Sequence, residues 1–141
     1  CDIAAHDLKE EVLEILLKKG FDVTDVGTSG PDKGDFSDAA EIVATGIQRG
    51  EYQRGVLLCG TGIGMAIAAN KFSGVRACVA YEVFPAVLAA ADNNTNVLCS
   101  GAWCVESAKK CADMIAAWLL VQYTGRDVEG MKRAAAIEAS Y

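Results

Sequence analysis

A cysteine closes an apolar run and glycines follow it at once: Cys59-Gly60-Thr61-Gly62-Ile63-Gly64. A thiol beside backbone N–H groups that glycine leaves approachable makes an anion cradle with a base at its lip. "GVLLC" before the glycines reads as a strand, and "GIGMAIAANKF" begins a helix directly. The first N–H groups of that helix therefore lack intrahelical partners. A helix N-terminus also favours thiolate over thiol. A thiolate beside an oxyanion-binding loop suits removal of a proton from carbon next to a carbonyl. The bland alternative is a tight strand–helix turn in which cysteine is a small filler.

Three better-known patterns do not fit. A dinucleotide GxGxxG needs glycine at 65, which is Met65, and no GxxxxGK stretch exists. A cysteine-phosphatase loop needs arginine six places after the thiol, and that place is again Met65.

The elements that must hold this loop alternate. "DLKEEVLEILLKKG" predicts a helix capped by Asp7, with Glu10 completing a capping box and Leu8, Val12, Ile15 and Leu16 as its stripe. "FDVTDVG" reads as a strand, "TSGPDKGDFSD" as a loop and "DAAEIVATGIQRG" as a helix. "VRACVAY" and "TNVLCSG" read as strands around the helix "VFPAVLAAADN". A long helix, "SAKKCADMIAAWLLVQY", carries Ala112, Ile115, Ala116 and Leu119 on one face, and a polar helix follows over roughly 127–139. Alternation of this kind implies a parallel sheet covered on both faces. The opening "CDIAAHD" reads as a strand end running into a helix, so a truncated first strand is expected before it, giving five strands in all.

With 141 residues, 52% of them apolar, the whole of 1–141 is expected to form one domain. A net charge of −6 without a basic block argues against nucleic acid or an anionic membrane as partner. No apolar run approaches the ~20 residues of a bilayer span, and no signal peptide is expected, because "CDIAAHDLKEE" has no basic segment followed by an apolar one. Six cysteines at 1, 59, 78, 99, 104 and 111 show no CxxC spacing, and one histidine is too few for most zinc sites. Reduced thiols, a cytoplasmic location and no metal follow as expectations. Cys78 and Cys99 are expected to be buried thiols. His6 is expected to be a partly exposed helix-start residue.

The stretches "CGTGIGMAIAANKFSGVRA", "CDIAAHDLK", "DVGT", "NNTNVL" and "TGR" together resemble the ribose-5-phosphate isomerase B / galactose-6-phosphate isomerase family, over essentially the whole chain. The resemblance implies a Rossmann-like three-layer αβα fold, a homodimer or dimer of dimers, and aldose–ketose interconversion of a sugar phosphate through an enediolate without metal or cofactor. By position it implies Cys59 as the base. The N–H groups of Gly60, Gly62, Ile63 and Gly64 and the Thr61 hydroxyl would hold the enediolate oxygens. Asp2 would bind substrate hydroxyls, Asn93 would reach the reacting end from a neighbouring subunit, and Arg126 would bind phosphate.

Departures from the family pattern are equally informative. Asp2-Ile3 stands where the family has Asp-His, Asp92-Asn93 where it has His-Asn, and Asp35-Phe36-Ser37 where it has Asp-Tyr-Pro. The second phosphate arginine falls near Gly130, so Arg133 or Lys132 would substitute. The family's second histidine is credited with opening a furanose ring. Its absence favours a tetrose phosphate, whose esterified O4 cannot close a five-membered ring, over ribose 5-phosphate. An alternative is a non-catalytic sugar-phosphate-binding subunit of a hetero-oligomer. A redox sensor at Cys59 is a third reading, which no neighbouring cysteine in sequence supports.

Overall fold

The computed structural model describes residues 1–27 and 34–141. The Asp2 carboxylate accepts from the Ala4 N–H at 3.0 Å and caps a short 3-10 turn, Ile3–Ala5, which runs straight into α1, His6–Lys18. That turn moves the start of the helix back to His6. Asp7 therefore lies inside the first turn rather than at the cap, which is Ala5 with no side-chain bond. Val12 and Leu16 are buried as the periodicity requires.

Helix α2, Phe36–Gln48, begins earlier than expected. Asp35 and Asp38 form a reciprocal capping box, so Phe36 and Ser37 belong to the helix rather than the loop. The rest of the "TSGPDKG" reading up to Lys33, and Thr28 of "DVGT", lie outside the described residues.

Then follow β1 (Gly55–Cys59), α3 (Ile63–Ala69), β2 (Ala77–Val79), α4 (Val83–Ala91), β3 (Val97–Gly101), α5 (Ala108–Leu120) and α6 (Val128–Ala139). The strands are all parallel in the order β1-β3-β2, with Leu57 opposite Cys99 and Cys78 opposite Leu98. Because successive strand residues face opposite sides, each strand supplies both faces. Leu58 and Leu98 pack with Val12, Leu16, Ala86, Ile115 and Trp118 of α1, α4 and α5. Leu57, Cys59, Val97 and Cys99 pack with Ala40, Val43, Met65 and Ala69 of α2 and α3. The αβα layering is therefore as expected.

The expected five strands are not all there: the described residues form a three-stranded sheet. Residues 21–26, expected as a strand, have no regular secondary structure and pair with no strand of the sheet. A ladder needs a neighbour about 4.8 Å away, and a cleft of about 730 Å³, lined by Val12, Leu16, Val23, Val43 and Val56, lies along this segment and the outer edge of β1. The Asp2 N–H reaches that edge at its end, donating to the Leu58 carbonyl at 3.1 Å.

Among the described residues no helix is long and apolar enough to cross a membrane, and no group of three or more His, Cys, Asp or Glu side chains is arranged to hold a metal ion. Cys59, Cys78, Cys99, Cys104 and Cys111 are free thiols. Cys99 and Cys111 are fully buried, while Cys78 is half-buried rather than buried. His6 opens α1 with its ring near the Asp7 carboxylate at 3.3 Å.

Candidate active site

Ligand sites in open parallel sheets form at the carboxyl ends of the strands. Cys59 ends β1 there, and its side chain is 5% exposed. Three residues on, the Gly62 N–H donates to the Cys59 sulfur at 3.0 Å. Gly62 sits at φ +80° and caps α3, a left-handed conformation that glycine adopts without strain. The Thr61 hydroxyl accepts from the Ile63 N–H at 3.3 Å. Helix α3 is only seven residues long, so the loop's own N–H groups, rather than a long macrodipole, are what it offers an anion.

The glycines also allow two loops to touch. A Cβ on Gly62 would lie 2.8 Å from the Ser100 nitrogen, and one on Gly101 would lie 2.4 Å from the Gly60 carbonyl oxygen. The loop after β3 is tied to the cradle by Ala102 N–H to Cys59 C=O at 2.9 Å and Trp103 N–H to Gly60 C=O at 3.0 Å. The Trp103 ring covers Gly60, and the Phe36 ring covers Gly64. From the end of β2, the Tyr81 hydroxyl donates to the Thr61 carbonyl at 2.7 Å. Burial, then Cys104 and Cys59, holds the Tyr81 hydroxyl above its ordinary pKa, so it keeps its proton at neutrality.

Burial pushes the Cys111 thiol up to about 11 and raises Cys78 and Cys99 as well, so all three stay protonated and inert near neutrality.

Cys59, Gly60, Thr61, Gly62, Ile63 and Gly64 thus come together as one loop, and Asp2 stands beside it through its bond to Leu58. The other candidates lie elsewhere. Asn93 follows α4 on the way into β3, at the amino-terminal edge of the sheet. Arg126 reaches the same edge. Thr124 is stapled to the Ala91 carbonyl through both its N–H (2.9 Å) and its hydroxyl (2.8 Å), and Arg126 pairs with Asp92. Arg133 is exposed on α6, whose far end is tied by Glu138 to Gly74 at 3.1 Å, just before β2. A five-residue strand separates the two edges by roughly 16 Å, so one chain does not bring these residues to its own cradle.

Tyr81, Trp103, Ser100 and Gly101 were not singled out by the sequence. Gly101 as the last residue of an apolar strand is the one signal that could have found a close approach there. The cleft of about 730 Å³ beside β1 is not at the cradle, since it is lined by Leu58 but by neither Cys59 nor Thr61.

The family model described as Ribose/Galactose Isomerase matches residues 1–137. Ribose-5-phosphate isomerase B of Escherichia coli K12 is 42% identical over 127 residues, covering 89% of this chain and 83% of that protein. The 4-deoxy-4-sulfo-D-erythrose isomerase of Clostridium sp. MSTE9 is 41% identical over 124 residues (87% and 77%). The D-erythrulose-4-phosphate isomerase of Pectobacterium atrosepticum is 40% identical over 127 residues (88% and 82%). Among solved structures, Clostridium thermocellum ribose-5-phosphate isomerase B superposes with a TM-score of 0.93 at 34% identity, covering 99% of this chain and 95% of that one.

Proposed function

The chain belongs to the ribose/galactose isomerase family, and from that premise we propose that it interconverts the aldose and ketose forms of a tetrose phosphate with Cys59 as the base. The observation that carries this reading is the 3.0 Å contact from the Gly62 N–H to the Cys59 sulfur, inside a loop that joins the end of β1 to the start of α3. Cys59 as thiolate takes the proton from the carbon next to the substrate carbonyl. The electron pair of the broken C–H bond moves into a C1–C2 double bond, and the carbonyl oxygen becomes an oxyanion. The N–H groups of Gly60 to Gly64 and the Thr61 hydroxyl stabilise that charge. Cys59 returns the proton to the adjacent carbon while the hydroxyl proton passes between O1 and O2.

The preference for four carbons rests on Asp92. Ring opening needs a proton delivered to the ring oxygen, and the Asp92 carboxylate is engaged with Arg126. Phosphate binding is assigned to Arg126, with Arg133 as its second cation, and substrate hydroxyls to Asp2. Asn93 and the two arginines serve the cradle of a second copy, because they lie at the opposite edge of their own sheet.

The test is an isomerisation assay of the purified chain on four-, five- and six-carbon sugar phosphates, with Cys59→Ala as control. Turnover of a tetrose phosphate that Cys59→Ala loses supports the reading. Binding without turnover by the purified chain would instead make it a non-catalytic sugar-phosphate-binding subunit.

A further inference from the structure

We propose that Tyr81 is a positioning residue for the isomerisation, acting on Cys59 through the single peptide unit that joins Thr61 to Gly62. A trans peptide is planar and holds its C=O and N–H pointing in opposite directions. Here the C=O takes the Tyr81 hydroxyl at 2.7 Å and the N–H meets the Cys59 sulfur at 3.0 Å. The two side chains therefore grip one rigid plate from opposite edges.

The plate needs that grip. Rotating it changes ψ of Thr61 and φ of Gly62, and glycine accepts both signs of φ at little cost. With Gly62 at φ +80°, the peptide could flip and turn its N–H away from the sulfur. A donor fixed on the carbonyl prevents this. Tyr81 is fixed well, because the preceding Ala80 is pinned on both sides. Its N–H donates to the Cys99 carbonyl at 3.1 Å, and its carbonyl accepts the buried Ser100 hydroxyl at 2.8 Å.

The relay is electronic as well as mechanical. A hydrogen bond to a peptide carbonyl polarises the unit and strengthens its N–H as a donor. A donor to a sulfur anion is charge-assisted and gains most when the thiolate forms. Tyr81 therefore supports the ionised form of Cys59 without touching it or the substrate. The carbonyl can only accept, so the tyrosine must be the donor, and its raised pKa keeps it so. Among the described residues, the other titratable groups that interact electrostatically with Cys59 include the Cys99 thiol on β3 and the Cys1 amino group, with Cys104 beside the Tyr81 hydroxyl.

The kinetic half of this inference rests on Cys59 as the base; the structural half does not, and the experiment separates them. In the full chain, Tyr81→Phe removes one hydroxyl and keeps the ring. It should lower kcat by about tenfold, the scale of one lost hydrogen bond, with KM within about twofold. The rate at which iodoacetamide alkylates Cys59, read by peptide mass spectrometry across the pH range, should shift to higher pH. Site-specific 3-fluorotyrosine at 81, a stronger donor of the same shape, should move that profile to lower pH, which covers the case in which the phenylalanine variant does not fold. An alkylation profile unmoved in the folded variants overturns the proposal. Full activity in Cys59→Ala would overturn the catalytic reading instead, while the alkylation profile would still report the Tyr81 coupling.

Discussion

The Arg126 guanidinium is ion-paired with the Asp92 carboxylate, across 34 residues of sequence, with the carboxylate largely buried and the guanidinium 69% exposed. Ion pairs this open contribute about 0–1 kcal/mol to stability. Orientation is the larger effect. Asp92 holds one edge of the guanidinium, while the Thr124 hydroxyl accepts from the Arg126 backbone N–H at 3.2 Å, which leaves the remaining guanidinium N–H groups toward solvent, where a phosphate could take two of them in parallel.

Arg126→Ala should therefore raise KM by about tenfold or more, the cost of one charge-assisted contact, with the melting temperature nearly unchanged. Asp92→Asn should raise KM less, because it loosens the arginine without removing it. Steady-state kinetics and a thermal melt measure both. A KM unchanged within twofold in Arg126→Ala would identify the arginine as a solvated surface residue.

Removal of the thiol is the direct test of the base. Cys59→Ala should cut turnover by at least about 10², in the range of a lost acid–base group. The side chain is small and buried among Leu57, Met65 and Cys99, so the variant should fold. Near-normal turnover in a folded variant sinks the assignment.

The two glycine contacts at the cradle differ in kind. At Gly60 a new methyl would meet the Trp103 ring at 2.7 Å, and that ring is 76% exposed and can swing away. At Gly101 it would meet the Gly60 carbonyl and the Thr61 Cα, both at 2.4 Å, and backbone in a packed turn cannot. Gly101→Ala should abolish activity and lower stability by about 1–3 kcal/mol, the scale of overpacking. Gly60→Ala should keep its melting temperature. Equal melting temperatures for the two would contradict the rigid contact.

How much of this was legible in the sequence depends on how local each cause is. Strand β1, the turn after it and the burial of Val12, Leu16, Ala112 and Ile115 follow from period and punctuation within a few residues, and they were read correctly. The start of α2 was misplaced because Phe36 reads as loop until Asp35 and Asp38 are seen to cap each other. Phe21–Val26 reads as a strand by composition, yet a strand exists only through its partner. Tyr81 could not be found at all: its role depends on a carbonyl 20 residues away, and no local pattern marks a side chain that holds someone else's peptide. Likewise, the expectation that Arg126 meets the Cys59 cradle across a subunit interface comes from the family resemblance and not from any local pattern, because the strand ends at which the two residues lie are defined only by the sheet.

That separation makes a prediction about assembly. If Arg126 serves the cradle of a second copy, light scattering at micromolar concentration should show at least a dimer. Complementation is the sharper measurement. Cys59→Ala and Arg126→Ala chains, each poorly active alone, should regain activity when unfolded and refolded together. A heterodimer of the two holds one intact site, so random pairing restores about a quarter of all sites. Mixtures no more active than the sum of their parts would place Arg126 outside the shared site.

The proposed preference for a tetrose phosphate turns on the same Asp92. A furanose must open before its C2 proton can be taken, and opening needs a group that gives a proton to the ring oxygen near neutrality. Imidazole suits that task because it titrates there. A carboxylate suits it poorly: it serves as an acceptor rather than a donor, and this one already accepts from a guanidinium. The described residues supply one imidazole, His6, which opens α1 beside Asp7 and Glu10 rather than following α4. A tetrose 4-phosphate avoids the problem because its O4 carries the phosphate. The purified chain should therefore show kcat/KM on a tetrose phosphate at least about tenfold above that on ribose 5-phosphate, equivalent to about 1.4 kcal/mol of barrier. Asp92→His should narrow the gap from the pentose side while weakening the hold on Arg126, so pentose kcat rises even as KM for both substrates increases. Equal or better turnover of ribose 5-phosphate by the unaltered chain would show that another group, or water, opens the ring, and that Asp92 serves Arg126 alone.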